Sequence, residues 1–157
     1  MSWTQEIVTI VRYMVGDSES VIYTDNQIQK NILIAAQIVK NEVSFSNQYY
    51  IDVFGGSIVP DPTEGTKDEW FVSLVSLKTA CMILNQEARI YGMQAVKIID
   101  GPSTVDTSQI AKNLAELAKE RCKDYEKHKI QFAMGESYGF VISTPTTIEY
   151  LNPRAFN

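Results

Sequence analysis

From Asp68 to Tyr91 the chain reads DEWFVSLVSLKTACMILNQEARIY, and a helix made from this stretch has apolar residues on nearly every face. Trp70, Leu74, Leu77, Cys81, Leu84, Ala88 and Tyr91 recur at alternating steps of four and three, the spacing of one continuous helical seam. Phe71, Val72, Val75, Met82 and Ile83 fill the flanks, so little of such a helix can face water. At 1.5 Å per residue it is roughly 36 Å long. A helix of this kind has to be wrapped by others, which makes it the centre of a helical bundle.

The rest of the chain supplies the wrapping. Trp3, Ile7, Ile10, Val11 and Met14 make one face of a helix over about residues 3–15, with Ser2 and Gln5 at capping-box spacing and Gly16 as the stop. Thr24 and Gln27 repeat that spacing before a second helix, about Asp25 to Val43, whose inner stripe is Ile28, Ile32, Ala35, Val39 and Val43. In YYIDVFGGSIV the period changes from helical to alternating around Gly55 and Gly56, which reads as a small hairpin over about residues 49–60. Thr66 and Glu69 give a third capping spacing ahead of the central helix. AVKIIDGPSTVDTS reads as a short extended run, a Gly-Pro turn and a helix start capped through Asp106 and Gln109. The last helix, about Thr107 to Ala133, carries Ile110, Leu114, Leu117, Ala118, Cys122 and Tyr125 inward, a charged face outward, and Gly135 at its end. The expected fold is therefore mainly α: a four-helix bundle over residues 1–135, a small β-hairpin between helices 2 and 3, and an extended C-terminal tail over 136–157.

At 157 residues, 45% hydrophobic and 21% charged, the chain has the size and composition of one globular domain. Its net charge of −5 argues against a dedicated nucleic-acid binder, because affinity for a duplex comes mainly from Lys and Arg neutralising phosphates. The start lacks the basic segment and small-residue cleavage site of a secretory leader, and no run of apolar residues is long enough for a membrane span. Cys81 and Cys122 fall in separate helical patterns, and the expectation is two buried, reduced thiols in a reducing compartment.

Residues that carry chemistry are sparse. The single histidine, His128, sits in YEKHKIQ and reads as an exposed residue of a charged helix face, without partners for catalysis or for zinc. Asp25, Asp68, Glu69 and Asp106 stand at helix starts, where carboxylates complement the helix dipole, and Asp61 belongs to a Pro-Asp-Pro turn. FGGS and DGPS lack the Gly-Lys-Ser/Thr continuation of a phosphate loop. Lys112, Lys119, Arg121, Lys123, Lys127 and Lys129 alternate with Glu and Asp, which reads as a solvated face. The expectation is no catalytic residue, no metal and no cofactor.

The tail, STPTTIEYLNPRAFN, is the opposite of a solvated terminus. Pro145 and Pro153 rule out a helix, yet the segment from residue 138 carries Phe140, Ile142, Ile148, Tyr150, Leu151, Pro153 and Phe156, with Arg154 among them. Twenty extended residues reach roughly 65 Å, against roughly 40 Å for the diameter of a domain this size. Phe140, Ile142, Ile148, Tyr150, Leu151, Pro153, Arg154 and Phe156 are the candidate partner-binding residues, on a neighbouring chain or, as the alternative, folded back on the chain's own bundle.

Three stretches, in this order, resemble one family. YTDNQIQKNILIAAQIVKNEV resembles the aspartate-led second helix, SIVPDPTEGTKDEWFVSLVSLKTACMILNQEAR the loop and central helix, and VKIIDGPSTVDTS the strand, turn and last-helix start of bacteriophage head-to-tail connector proteins, over roughly residues 20 to 130. The resemblance implies a structural virion protein, an adaptor that assembles on the portal at the phage neck as a homo-oligomeric ring, commonly a dodecamer. Such a ring connects the portal to the stopper or tail-terminator protein and extends the DNA channel, with DNA passing through unbound. It implies a location at the head–tail junction of the virion, in the host cytoplasm during assembly, and no enzymatic activity. A small helical DNA-packaging or ligand-binding protein is the alternative.

Overall fold

The computed structural model describes residues 2–94, 97–100, 103–106 and 108–136, and side chains within 2–94 and 108–135. Four helices and two hairpins follow one another as α1 (Trp3–Val15), α2 (Asp25–Glu42), β1 (Tyr50–Asp52), β2 (Ser57–Val59), α3 (Glu69–Met93), β3 (Lys97–Asp100), β4 (Ser103–Asp106) and α4 (Ser108–Glu136). The mainly α architecture, with a small antiparallel hairpin between the second and third helices, is the one expected from the sequence.

α3 is the centre. It buries Phe71, Val72, Leu74, Val75, Leu77, Ala80, Ile83 and Leu84, and even Ser76 and Thr79, whose hydroxyls donate to the carbonyls of Val72 and Val75 one turn back. α1 and α2 pack on it with Ile7, Val11, Ile28, Ile32 and Val39, all fully buried. α4 lies along α3 as well, and contributes Ala118 and Tyr125 as its buried residues. Phe45, Tyr49, Phe71 and Phe132 close the core where the end of α4 meets the start of α3, with the Tyr49 and Phe71 rings stacked 3.9 Å apart. In the β1–β2 hairpin, Ile51 pairs with Ile58 and both face the core, while the pair Tyr50–Val59 faces out.

Several local expectations change. The hydroxyl of Ser2 caps no N–H of its own helix; it accepts from the Thr4 hydroxyl and donates to Asp61, whose Oδ2 also accepts from the Trp3 N–H at 3.1 Å. α1 is thus capped from the Pro-Asp-Pro loop, 58 residues away in sequence. The cap of α3 is Asp68, which accepts from the Phe71 N–H, and not Thr66. The Thr24–Gln27 capping box forms as expected, as does the left-handed stop at Gly16 (φ 79°). A second hairpin, with Lys97 opposite Asp106 and Ile98 opposite Val105, occupies the segment expected to hold one extended run, and Asp106 is the last residue of β4. α4 runs through Gly135 to Glu136, and its first turns are thinly covered: Ile110 is 48% exposed and Leu114 and Leu117 are half-buried. Trp70 and Tyr91, the two ends of the central seam, are both exposed.

The cysteines are not free thiols. Cys81 and Cys122 stand opposite each other on α3 and α4, with Cα atoms 4.9 Å apart, and form a disulfide. Separation along the sequence concealed this, since antiparallel helices bring residues 41 apart into register. Cross-linking a loop of this length contributes roughly 2–4 kcal/mol in the chain-entropy account.

The central place of α3 sets a clear expectation. Leu77→Asp puts an unpaired charge on a buried face and should cost more than about 3 kcal/mol. A thermal melt within a degree or two of the parent would show that α3 is not the centre of the core.

Candidate interaction surface

Sequence reasoning placed the functional residues in the tail, and Phe140, Ile142, Ile148, Tyr150, Leu151, Pro153, Arg154 and Phe156 all lie outside the described residues. What the described residues supply is a set of polar anchors inside the fold and a set of apolar side chains displayed outside it.

The first anchor is built on Arg12. Its guanidinium, nearly buried on α1, donates to Asp17 Oδ2 at 2.6 Å, to Asp25 Oδ1 at 2.5 Å and to the carbonyl of Tyr23 at 3.0 Å. The Asp17 carboxylate in turn accepts from the N–H groups of Val21, Ile22 and Tyr23. Burial pushes the Asp17 carboxyl up, but the three amide bonds and Arg12 outweigh it and hold it below the usual carboxylate range. The pair fixes the loop from α1 to α2. Asp25, expected only as a helix-start carboxylate, is part of it.

The second anchor is Glu42 at the end of α2. Its carboxylate accepts from the Tyr125 hydroxyl at 2.8 Å and pairs with Lys129 at 3.0 Å and Lys78 at 3.3 Å, tying α2 to α4 and α3. Lys78 also lies over the Tyr125 ring, 4.5 Å from its centre. Desolvation pushes Glu42 up; the hydrogen bonds from Tyr125, Lys129 and Lys78 win and bring it down to about 2. Lys129, read from sequence as part of a solvated face, is therefore held in place. His128 is likewise only half exposed, with Nδ1 3.4 Å from the Ser73 hydroxyl.

Burial and Asp68 push Tyr49 up to about 12, and its hydroxyl donates to Asp68 at 2.8 Å, linking the first hairpin to the cap of α3. These interactions move Asp17, Glu42 and Asp61 down and Tyr23, Tyr49 and Tyr125 up. Each such shift leads away from neutral pH, so these groups are locked in one charge state, whereas a general acid or base is poised near its working pH. Among the described residues no group of His, Cys, Asp and Glu is arranged to hold a metal ion, and no helix is long and apolar enough to cross a membrane.

The outer surface is more distinctive. At the tip of the first hairpin Phe54 is fully exposed, and Tyr50 and Val59, paired at the end of the strands away from the turn, are 68% and 56% exposed. The tip is nonetheless held in shape: Asp52 Oδ1 accepts from the N–H groups of Phe54 and Gly55, and Gly56 N–H donates to the Asp52 carbonyl. The carboxylate folds over Gly55 so closely that a Cβ there would collide with it, and Gly56 has a φ of +73°. Sequence reasoning saw a hairpin here but not that Phe54, the one large apolar side chain in its turn, points into water. Ile90, Tyr91 and Met93 near the end of α3, and Ile130 and Met134 near the end of α4, are also exposed.

No protein-family model, no curated protein and no solved structure matches the chain.

The Glu42 tie gives a pH test with a definite sign. A carboxyl held below its ordinary value of 4.5 contributes stability that is complete above 4.5 and fades as pH falls toward about 2. Glu42→Gln should therefore melt below the parent at pH 7, by about 1 kcal/mol. The gap should close as pH falls from 4.5 toward 2. A gap that is the same at pH 7 and pH 3 would show that the ionised carboxylate is not what ties the helices.

Proposed function

We propose that the chain is a structural connector of a bacteriophage neck, a non-catalytic virion protein whose copies form a ring between the portal and the stopper or tail. In this reading the ring is twelve-fold, extends the DNA channel, and lets DNA pass without gripping it. It is built in the host cytoplasm and resides at the head–tail junction.

The observation that carries the reading is the order of the parts. The motifs that resemble the connector family lie on a capped α2, on a Pro-Asp-Pro loop leading into a central α3, and on the β3–β4 segment ahead of α4. Two further features support it. Phe54 at the hairpin turn, and Tyr50 and Val59 at the other end of the same hairpin, are exposed apolar side chains of the kind that protein contacts use. The net charge of −5 suits a channel that does not hold DNA.

The tail carries the docking role in this proposal. Its apolar residues engage the adjacent subunit, the portal or the stopper, and Arg154 suits a carboxylate or backbone carbonyl there. Truncation after Glu136 should leave helicity and the melting curve nearly unchanged and should prevent incorporation into particles. Unfolding of the truncated chain would mean that the tail packs on its own bundle, and normal incorporation would mean that the tail is not the docking element. Tight duplex binding by the intact protein at about 150 mM salt, with a steep salt dependence, would favour the DNA-packaging alternative instead.

A further inference from the structure

Cys122 divides α4 into two halves that are held differently. Beyond it, successive turns reach out of the helix: Tyr125 and Lys129 bond Glu42 of α2, His128 stands by Ser73 of α3, and Phe132 packs against Phe45 and Trp70. Before it, Gln109 bonds Asn113 and Arg121 pairs with Asp124, both within α4. Only Ala118 is fully buried among residues 108–121. Leu114 and Leu117 are half-buried, and Ala111 and Ala118 have little apolar area to offer. The β3–β4 hairpin ahead of this half pairs with no further strand among the described residues. The Cys81–Cys122 bond sits at the boundary and fastens the weakly covered half to α3.

We infer that this bond is a reversible thiol–disulfide site, opened by a small dithiol, whose state decides whether the first half of α4 stays docked on α3. The site is independent of the neck proposal. Both cysteines are partly exposed, so a thiolate reaches them without unfolding the chain. Asn85 of α3, itself exposed, stands beside the bond: its Nδ2 donates to Cys122 Sγ at 3.2 Å and lies 3.6 Å from Cys81 Sγ. A donor on the departing sulfur stabilises it as thiolate and speeds its departure. The external thiolate therefore attacks Cys81 Sγ to form a mixed disulfide, and Cys122 leaves as thiolate toward Asn85. The second thiol then attacks the reductant's own sulfur in that mixed disulfide and releases Cys81. Two electrons pass to the protein, the dithiol leaves as a disulfide, and its two protons end on Cys81 and Cys122. An oxidised disulfide partner reverses each step. The site is open where thiols are abundant and closed where they are scarce. Once open, the turns before Cys122 rest on packing alone, while Glu42 still holds the later ones.

The test is amide hydrogen exchange on the full chain, read by mass spectrometry of fragments, before and after dithiothreitol without denaturant. Thiol labelling under the same conditions is expected to go from no free cysteine to both. Exchange over residues 110–121 should rise about tenfold or more, with residues 123–135 changing by less than about twofold. Oxidised glutathione should restore the protection. Cys81→Ser combined with Cys122→Ser should reproduce the reduced pattern and ignore dithiothreitol; should that variant fail to fold, the reduced parent carries the test. Asn85→Ala widens access yet removes the donor, so reduction should slow by about three- to tenfold while the melt of the oxidised chain stays unchanged. Cysteines that resist native reduction, or equal changes in both halves of α4 or in neither, overturn the site. Asn85→Ala reduced as fast as the parent overturns the assigned direction of attack.

Discussion

The rest of the structure depends on one fact about α3: it has no face that can be left in water over its middle turns. Leu74, Val75, Ser76 and Leu77 are consecutive and all buried, which on a helix means cover from every direction. α1 and α2 supply part of that cover and α4 more, and the loop before the first hairpin closes the remaining corner with Phe45 and Tyr49. Everything else holds these pieces against α3. Glu42 ties three helices through one carboxylate, Asp68 both caps α3 and receives the Tyr49 hydroxyl, and the Cys81–Cys122 bond pins α4 to α3.

The polar anchors share a logic. Asp17 and Asp61 each bond backbone N–H groups that have no helical or sheet partner, and so hold a loop or a helix start against the core. A carboxylate satisfied in this way stays ionised across the neutral range and is spent on architecture. The acidic character of the chain is thus in part structural, with its carboxylates engaged by Arg12, Lys78, Lys129 and backbone amides. The apolar side chains that the fold leaves uncovered, led by Phe54, are the parts free to meet another molecule.

Elements with a strong period were legible in the sequence. The 4-3 spacing of α3, the Thr24–Gln27 box of α2 and the Gly55-Gly56 turn of the first hairpin each express a local rule, and each is found. What was not legible depends on which elements meet. Nothing local to Ser2 signals that Asp61 bonds it, and nothing around Cys81 signals that Cys122 lies across from it. Arg12 looks like the polar edge of α1 until the loop to α2 folds Asp17 beneath it. Ile110 and Tyr91 follow the periodic stripes but are exposed, so periodicity alone overstates the core. The pairing of β3 with β4 was concealed by a short segment whose Gly-Pro turn fits either a hairpin or a single strand leading to a helix.

In the proposed reading, a helical body with locked charges, an exposed apolar hairpin tip and an apolar tail in the sequence is a part joined to others. The proposed neck role is a claim about location, and location is measured directly by quantitative mass spectrometry of purified particles of the phage that the proposal implies. The account predicts the chain in intact particles at about a dozen copies for each portal ring, retained in tailless neck fragments. Its absence from particles while it is abundant in the infected-cell lysate would contradict the account.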